Sequence, residues 1–213
     1  MDDIKLLKEI QKLKDSEIKQ TIRKRISEFK ALGKKSNAFL FSELCFCILT
    51  ANFNAEKTIK IQNEIKPKGF LHLPEKNLAK KLKLLGHRYP NTRAKYIIEA
   101  RQFASNIGQL IASQKTEIEA REFFAKNVKG LGYKEASHFL RNIGFENLAI
   151  IDFHIVDLLA RFHLIKKPES KSMTKKRYLE IESILQRISK RCALNLSELD
   201  LYLWFMETGK ILK

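Results

Sequence analysis

Apolar residues recur at three- and four-residue steps almost from one end of the chain to the other, the period of an amphipathic helix. Between Asp3 and Ala31, the residues Ile4, Leu7, Ile10, Leu13, Ile18, Ile22, Ile26 and Phe29 predict one long helix closed by Gly33. The stretch Asn37 to Thr50 (NAFLFSELCFCILT) is apolar nearly all round, which predicts a buried central helix. A third helix over Ala55 to Ile65 is stopped by Pro67, and a short one over Glu75 to Leu85 stops at Gly86. Pro90 opens the next, over Asn91 to Ile107, with Tyr96, Ile97, Ala100, Phe103 and Ala104 on one face. Helices are further expected over Thr116 to Asn127, Tyr133 to Ile143, Asp152 to Phe162, Tyr178 to Cys192 and Ser197 to Thr208. No segment alternates with the period of a strand. The pattern predicts an all-α fold of roughly nine to eleven helices. Its best linker is the basic loop Lys166 to Lys176 (KKPESKSMTKK).

Composition narrows the class. The 213 residues suit one domain or two small packed ones. Lys and Arg number 41 against 24 Asp and Glu, a formal charge of +17, so a polyanionic partner is expected. The bland alternative is a basic, solvated surface from a lysine-rich proteome. Cys45, Cys47 and Cys192 make neither a disulfide framework nor a four-ligand zinc or iron–sulfur site, and read as small buried hydrophobes. No apolar run approaches the ~20 residues of a membrane span, and the charged N-terminus has no signal-peptide core. The expectation is a reduced, cytoplasmic protein.

The chemistry concentrates in VKGLGYKEASHFLRNIG, Val128 to Gly144. Two helices meet through Gly130-Leu131-Gly132. The glycines allow a tight turn and close approach of a phosphate to the main chain. The helix that follows would aim its free N–H groups and its positive dipole end at that phosphate. Leu131 would pin the turn to the core. By itself, this spacing also fits an ordinary glycine-bearing turn. Lys134 sits in the first turn of the second helix, close to Lys126 and Lys129. A cation there opposes the helix dipole, so the position suits an amine nucleophile better than a structural lysine, the alternative being an exposed lysine near phosphates. Eighteen residues on, Asp152 interrupts the apolar run AIIDFHIV. Aspartate is a favoured N-cap, and a capping carboxylate stays ionised, able to stabilise positive charge developing on a nearby sugar. His72, His87, His138 and His163 show no ligand pattern and read as structural. Ser137 has no triad partners.

G-h-G-Y-K followed by an apolar-flanked aspartate resembles the helix-hairpin-helix base-excision DNA glycosylases. SELCFCILTANFNA, LLGHRYPNTRAKYI, KGLGYKEASHFLRNIGFENLAIIDFHI and LYLWFMETGKILK are similar, more narrowly, to the second, archaeal and bacterial class of 8-oxoguanine DNA glycosylase/AP lyases. The resemblance covers about Phe39 to Lys213. It implies one glycosylase unit over residues 1–213, made of two closely packed helical subdomains with a cleft between them. The hairpin motif would span about 116–144, and helices 173–213 would return to the cleft. It implies Lys134 as the Schiff-base lysine and Asp152 as the catalytic aspartate. Lys213 matches the C-terminal lysine that helps separate 8-oxoguanine from guanine. Trp204 and Tyr89 fall where the family has aromatics around the base, Tyr89 standing where phenylalanine is expected. Trp204 equally suits a core position beside Leu201 and Phe205. Gly130, Gly132, Lys129 and His154 would contact the DNA backbone. Phe153 stands where a basic or polar residue is expected. The resemblance further implies no cofactor, no metal, no membrane, and a monomer acting on double-stranded DNA that carries 8-oxoguanine or abasic sites. The alternatives are a non-catalytic hairpin DNA-binding protein and a glycosylase for another oxidised base. Pyrimidine-specific relatives carry a C-terminal four-cysteine cluster that this chain lacks.

Overall fold

Asp15, Ser16 and Glu17 divide the first amphipathic stretch in two. In the computed structural model, which describes residues 2–167 and 173–213, α1 runs Asp2–Lys14 and α2 runs Ile18–Gly33. The break is made by short polar side chains that compete for local partners. Gln11 Nε2 donates to the Asp15 carboxylate at 2.9 Å, and Ser16 Oγ donates to the Leu13 carbonyl at 2.8 Å. The single long helix expected there is therefore two.

The other elements are α3 Asn37–Thr50, α4 Ala55–His72, α5 Glu75–Leu84, α6 Pro90–Ala100, α7 Ile107–Ala112, α8 Glu117–Asn127, α9 Tyr133–Asn142, α10 Phe153–Arg161, α11 Lys175–Arg191 and α12 Leu196–Thr208. Among the described residues there is no strand, and no helix is long and apolar enough to cross a membrane. In α4, Lys66 leaves helical geometry (φ 60°, ψ 166°) just before Pro67, so the regular part stops at Ile65 as the proline implied. The helix expected over Asn91 to Ile107 stops early. It passes through a 3-10 turn, Arg101–Phe103, and α7 follows as an element that periodicity did not separate. Tertiary bonds impose the change. Arg101 donates to the carbonyls of Phe70 (2.8 Å) and Leu73 (2.6 Å), and the Asn37 carboxamide accepts from Gly108 N–H (3.1 Å). Of the basic linker, residues 168–172 lie outside the described residues, and Lys175 and Lys176 already belong to α11.

The chain forms two units, Lys30–Gly144 and Met1–Phe29 with Phe145–Lys213. In the first, α3 packs against α4, α6, α7 and α9 and is buried from Leu40 to Thr50, as its composition foretold. Its one carboxylate, Glu43, is held by Asn142 Nδ2 at 2.6 Å and Gln62 Nε2 at 3.1 Å, which joins α3 to α9 and α4. A buried charge persists only with such partners. In the second unit, α12 lies against α10, α11 and α1. Ile22, Ile26 and Phe29 cluster there with Leu201 and Tyr202, and Ile211 of the C-terminal tail packs on them. Cys45, Cys47 and Cys192 are buried thiols outside any disulfide, and burial pushes the Cys45 thiol well above its usual range.

Gly33 ends α2 where it meets the residues after α9. A Cβ there would lie 2.1 Å from the Ile143 carbonyl oxygen, a backbone atom that cannot swing aside. Gly33→Ala should therefore destabilise the protein by about 2 kcal/mol, as overpacking does, despite alanine's better helix propensity. Urea unfolding tests this, and a gain in stability would contradict it.

Candidate active site

The α8–α9 hairpin is built from the turn outward. Leu131 N–H bonds to the Val128 carbonyl at 3.1 Å, and the Leu131 side chain is buried beneath it. Gly130 holds φ at +88°, the left-handed region that glycine alone enters freely. Any Cβ at Gly130 would also stand 2.5 Å from the Tyr96 ring. That ring, on α6, carries cations on its surroundings, with Lys129 Nζ 5.6 Å and the Arg93 guanidinium 5.8 Å from its centre. Lys129 also reaches Glu99, at 3.6 Å. Tyr133 closes the hairpin from the other side. Its hydroxyl donates to Glu122, and the Arg121 guanidinium lies 4.9 Å from its ring.

Gly132 is the N-cap of α9 and Lys134 lies in the first turn, its side chain about one quarter exposed. Neither helical period nor the G-h-G-Y-K pattern singles out Glu135. Its Oε2 accepts from Gly132 N–H at 3.1 Å, and its Oε1 lies 3.6 Å from Lys134 Nζ. This carboxylate is how an ammonium is tolerated where the helix dipole disfavours it. It also means that one of the N–H groups assigned to a phosphate already has an acceptor. An acidic residue at the third helical position was the available signal.

Tyr89 is the N-cap of α6 and 38% exposed, with the Arg88 guanidinium 5.0 Å from its ring. Its backbone is pinned at both ends. Its N–H donates to His87 Nδ1 at 3.1 Å, and its carbonyl accepts from Arg93 N–H at 3.0 Å. With Nδ1 an acceptor, His87 Nε2 carries the proton and donates to the Leu49 carbonyl at 3.0 Å. Burial, aided by the charge of Arg93, lowers the pKa of His87 and favours this neutral form.

The other unit holds Asp152, His154, Trp204 and Lys213. The segment leading to Asp152 is fixed by α11, where the Tyr178 hydroxyl donates to the Ala149 carbonyl at 2.6 Å and Glu182 accepts from Ala149 N–H at 3.0 Å. Ile150 and Ile151 are buried, and Asp152 then caps α10, accepting from Ile155 N–H at 3.0 Å. His154 meets Trp204 edge to face at 5.1 Å and Phe153 at 4.2 Å. Phe153 itself is 57% exposed, an apolar ring beside the capping carboxylate. Trp204 is half-buried, not a core aromatic, and its indole N–H is covered without an acceptor among the described residues. The helix ends at Gly209, in left-handed geometry (φ 68°), which turns the tail back so that Ile211 is anchored and Lys213 is half-buried. Among the described residues no cluster of three or more His, Cys, Asp or Glu is arranged to hold a metal.

Known proteins match this arrangement along the whole chain. The family model described as 8-oxoguanine DNA glycosylase matches residues 22–194. The 8-oxoguanine DNA glycosylase/AP lyase of Methanocaldococcus jannaschii is 54% identical over 208 residues, 98% of this chain and 99% of that protein. That of Korarchaeum cryptofilum is 50% identical over 98% of each chain. The crystal structure of the Methanocaldococcus jannaschii glycosylase/lyase in complex with a 15mer DNA containing 8-oxoguanine superposes with a TM-score of 0.94, at 53% identity over 98% of this chain and 99% of that one. The 8-oxoguanine DNA glycosylase of Thermotoga maritima superposes with a TM-score of 0.91, at 43% identity over 99% of this chain and 100% of that one. With helices throughout, a glycine hairpin ahead of Lys134 and matches of this extent, the chain belongs to the 8-oxoguanine DNA glycosylase family.

Proposed function

We propose that this protein excises 8-oxoguanine from double-stranded DNA and then cleaves the strand, using Lys134 as the nucleophile. The observation that carries the reading is Lys134 itself, a partly exposed amine in the first turn after the glycine hairpin. The relatives named for glycosylase and lyase activities match nearly the full chain.

A base within a duplex is out of reach, so the nucleotide must first swing out of the stack. The +17 charge supplies salt-dependent affinity, with Lys129, the main chain at Gly130 and Gly132, and His154 on the phosphates. Tyr89 and Trp204 offer aromatic faces to the extruded purine. 8-Oxoguanine differs from guanine in a carbonyl at C8 and a hydrogen on N7. An acceptor at Lys213 facing that N7–H suits the lesion, whereas guanine would set two acceptors against each other, a buried mismatch worth roughly 1–3 kcal/mol.

In the chemical step the Lys134 ammonium first gives a proton to solvent, and the neutral amine forms a bond from Nζ to C1′. The C1′–N9 bond breaks, and the base leaves with the electron pair and takes up a proton. Asp152 stabilises the positive charge that builds on the sugar. Nζ then loses a proton and O4′ gains one as the C1′–O4′ bond breaks, which leaves a protonated imine between Nζ and C1′. The imine makes the C2′ proton acidic, and its loss expels the 3′ phosphate by β-elimination. No cofactor enters any step. The protein works as a monomer in the cytoplasm, on nucleoid DNA.

Borohydride reduces such an imine to a stable amine. Wild-type protein should be trapped covalently on 8-oxoguanine DNA and Lys134→Gln should not, and trapping by the variant would overturn the assignment. Asp152→Asn separates charge from capping, because asparagine is an equally good N-cap. It should slow single-turnover base excision by about 10²-fold or more, the scale of a lost preorganised electrostatic contact, with an unchanged melting temperature. An excision rate within a few-fold of wild type would exclude Asp152 from the reaction.

A further inference from the structure

We propose that His87 is a positioning residue for recognition of the extruded base, acting through Tyr89. The inference rests on the reading of Tyr89 as a wall of the base site.

The bonds around His87 run in one direction, from the core to the site. α3 is the most deeply buried helix of its unit, and its Leu49 carbonyl takes the His87 Nε2–H at 3.0 Å. Phe53, just past the end of α3, covers the imidazole with its ring centre 4.2 Å away. Arg93, in the first turn of α6, donates to the Ala51 carbonyl at 2.6 Å, so the loop before α6 and the start of α6 grip the end of α3 at two points. The free lone pair of His87, on Nδ1, then takes the Tyr89 N–H at 3.1 Å. Tyr89 itself is more than one third exposed, and its backbone (φ −128°, ψ 59°) is in neither helical nor strand geometry. An exposed ring on an irregular residue stacks well only if its backbone is held, since otherwise binding must first order it. The Nε2–H donor and the Nδ1 acceptor of one rigid neutral ring do this, and no apolar side chain could replace them.

The test compares His87→Ala, Tyr89→Ala and the double variant in two single-turnover assays on the same DNA, excision of 8-oxoguanine and cleavage at a preformed abasic site. The readout is the ratio of the two rates. An abasic site has no base to stack, so a general loss of folded protein lowers both rates and leaves the ratio alone. Tyr89→Ala should lower the ratio about tenfold, in the range of a lost base–aromatic stack. His87→Ala should lower it at least threefold, and the double variant should match Tyr89→Ala alone within about twofold. His87→Asn keeps an acceptor near the Nδ1 position and should lie closer to wild type than His87→Ala. It also serves if His87→Ala folds poorly. A reduced ratio in Tyr89→Ala with a normal ratio in both His87 variants would overturn the inference while leaving Tyr89 in the base site. Multiplicative effects in the double variant would overturn it as well. A normal ratio in Tyr89→Ala would remove Tyr89 from the base site, and the inference with it.

Discussion

The contact of Gly130 with the Tyr96 ring is the constraint on which the arrangement of the hairpin depends. It demands a residue without Cβ and a backbone in the left-handed region at the same place. Given both, the chain leaves α8, buries Leu131 and starts α9 within five residues. The first turn of α9 then has a fixed origin, and Lys134 a fixed stem. Glu135 completes the turn by capping Gly132 and standing beside the Lys134 ammonium. A basic protein thus keeps an amine at the wrong end of a helix dipole by placing one carboxylate next to it.

The groups assigned to the chemistry are all supported from behind by buried polar contacts. α9 is tied to α3 through Asn142 and Glu43, and the approach to Asp152 is tied to α11 through Ala149. Such bonds add little net stability each, about 1 kcal/mol, but leaving one partner alone in the core costs more. Their effect is to select one arrangement of each support. Tyr89 follows the same logic with weaker means, since the bonds that hold it are borrowed from the end of α3 and from α6.

Much of the fold was legible because helical period and burial coincide. Asn37–Thr50 matches α3 at both ends, and α8, α9 and α10, with Thr116, Gly132 and Asp152 at their caps, fall where the punctuation put them. The departures come from interactions that periodicity does not contain. Ser16 and Asp15 interrupt a continuous apolar stripe with local bonds, and Arg101 and Asn37 bend the region after α6 from a distance. At the site, Lys134 and Asp152 stood out because their chemistry conflicts with their surroundings. Glu135 and His87 did not, because a lone acidic residue in a first turn and a lone histidine in a loop have common structural uses. Their roles depend on which atom each faces. The C-terminal lysine is a similar case. Its place on a short tail suggests fraying, yet Gly209 and Ile211 turn and anchor the tail that carries it.

The chemistry turns on one atom, Nζ of Lys134. Digestion of the borohydride-reduced protein–DNA complex and mass spectrometry of its peptides would locate the sugar remnant directly. A single adduct is expected, on the peptide containing Lys134. An adduct on another lysine or on the N-terminal amine, with Lys134 unmodified, would contradict it.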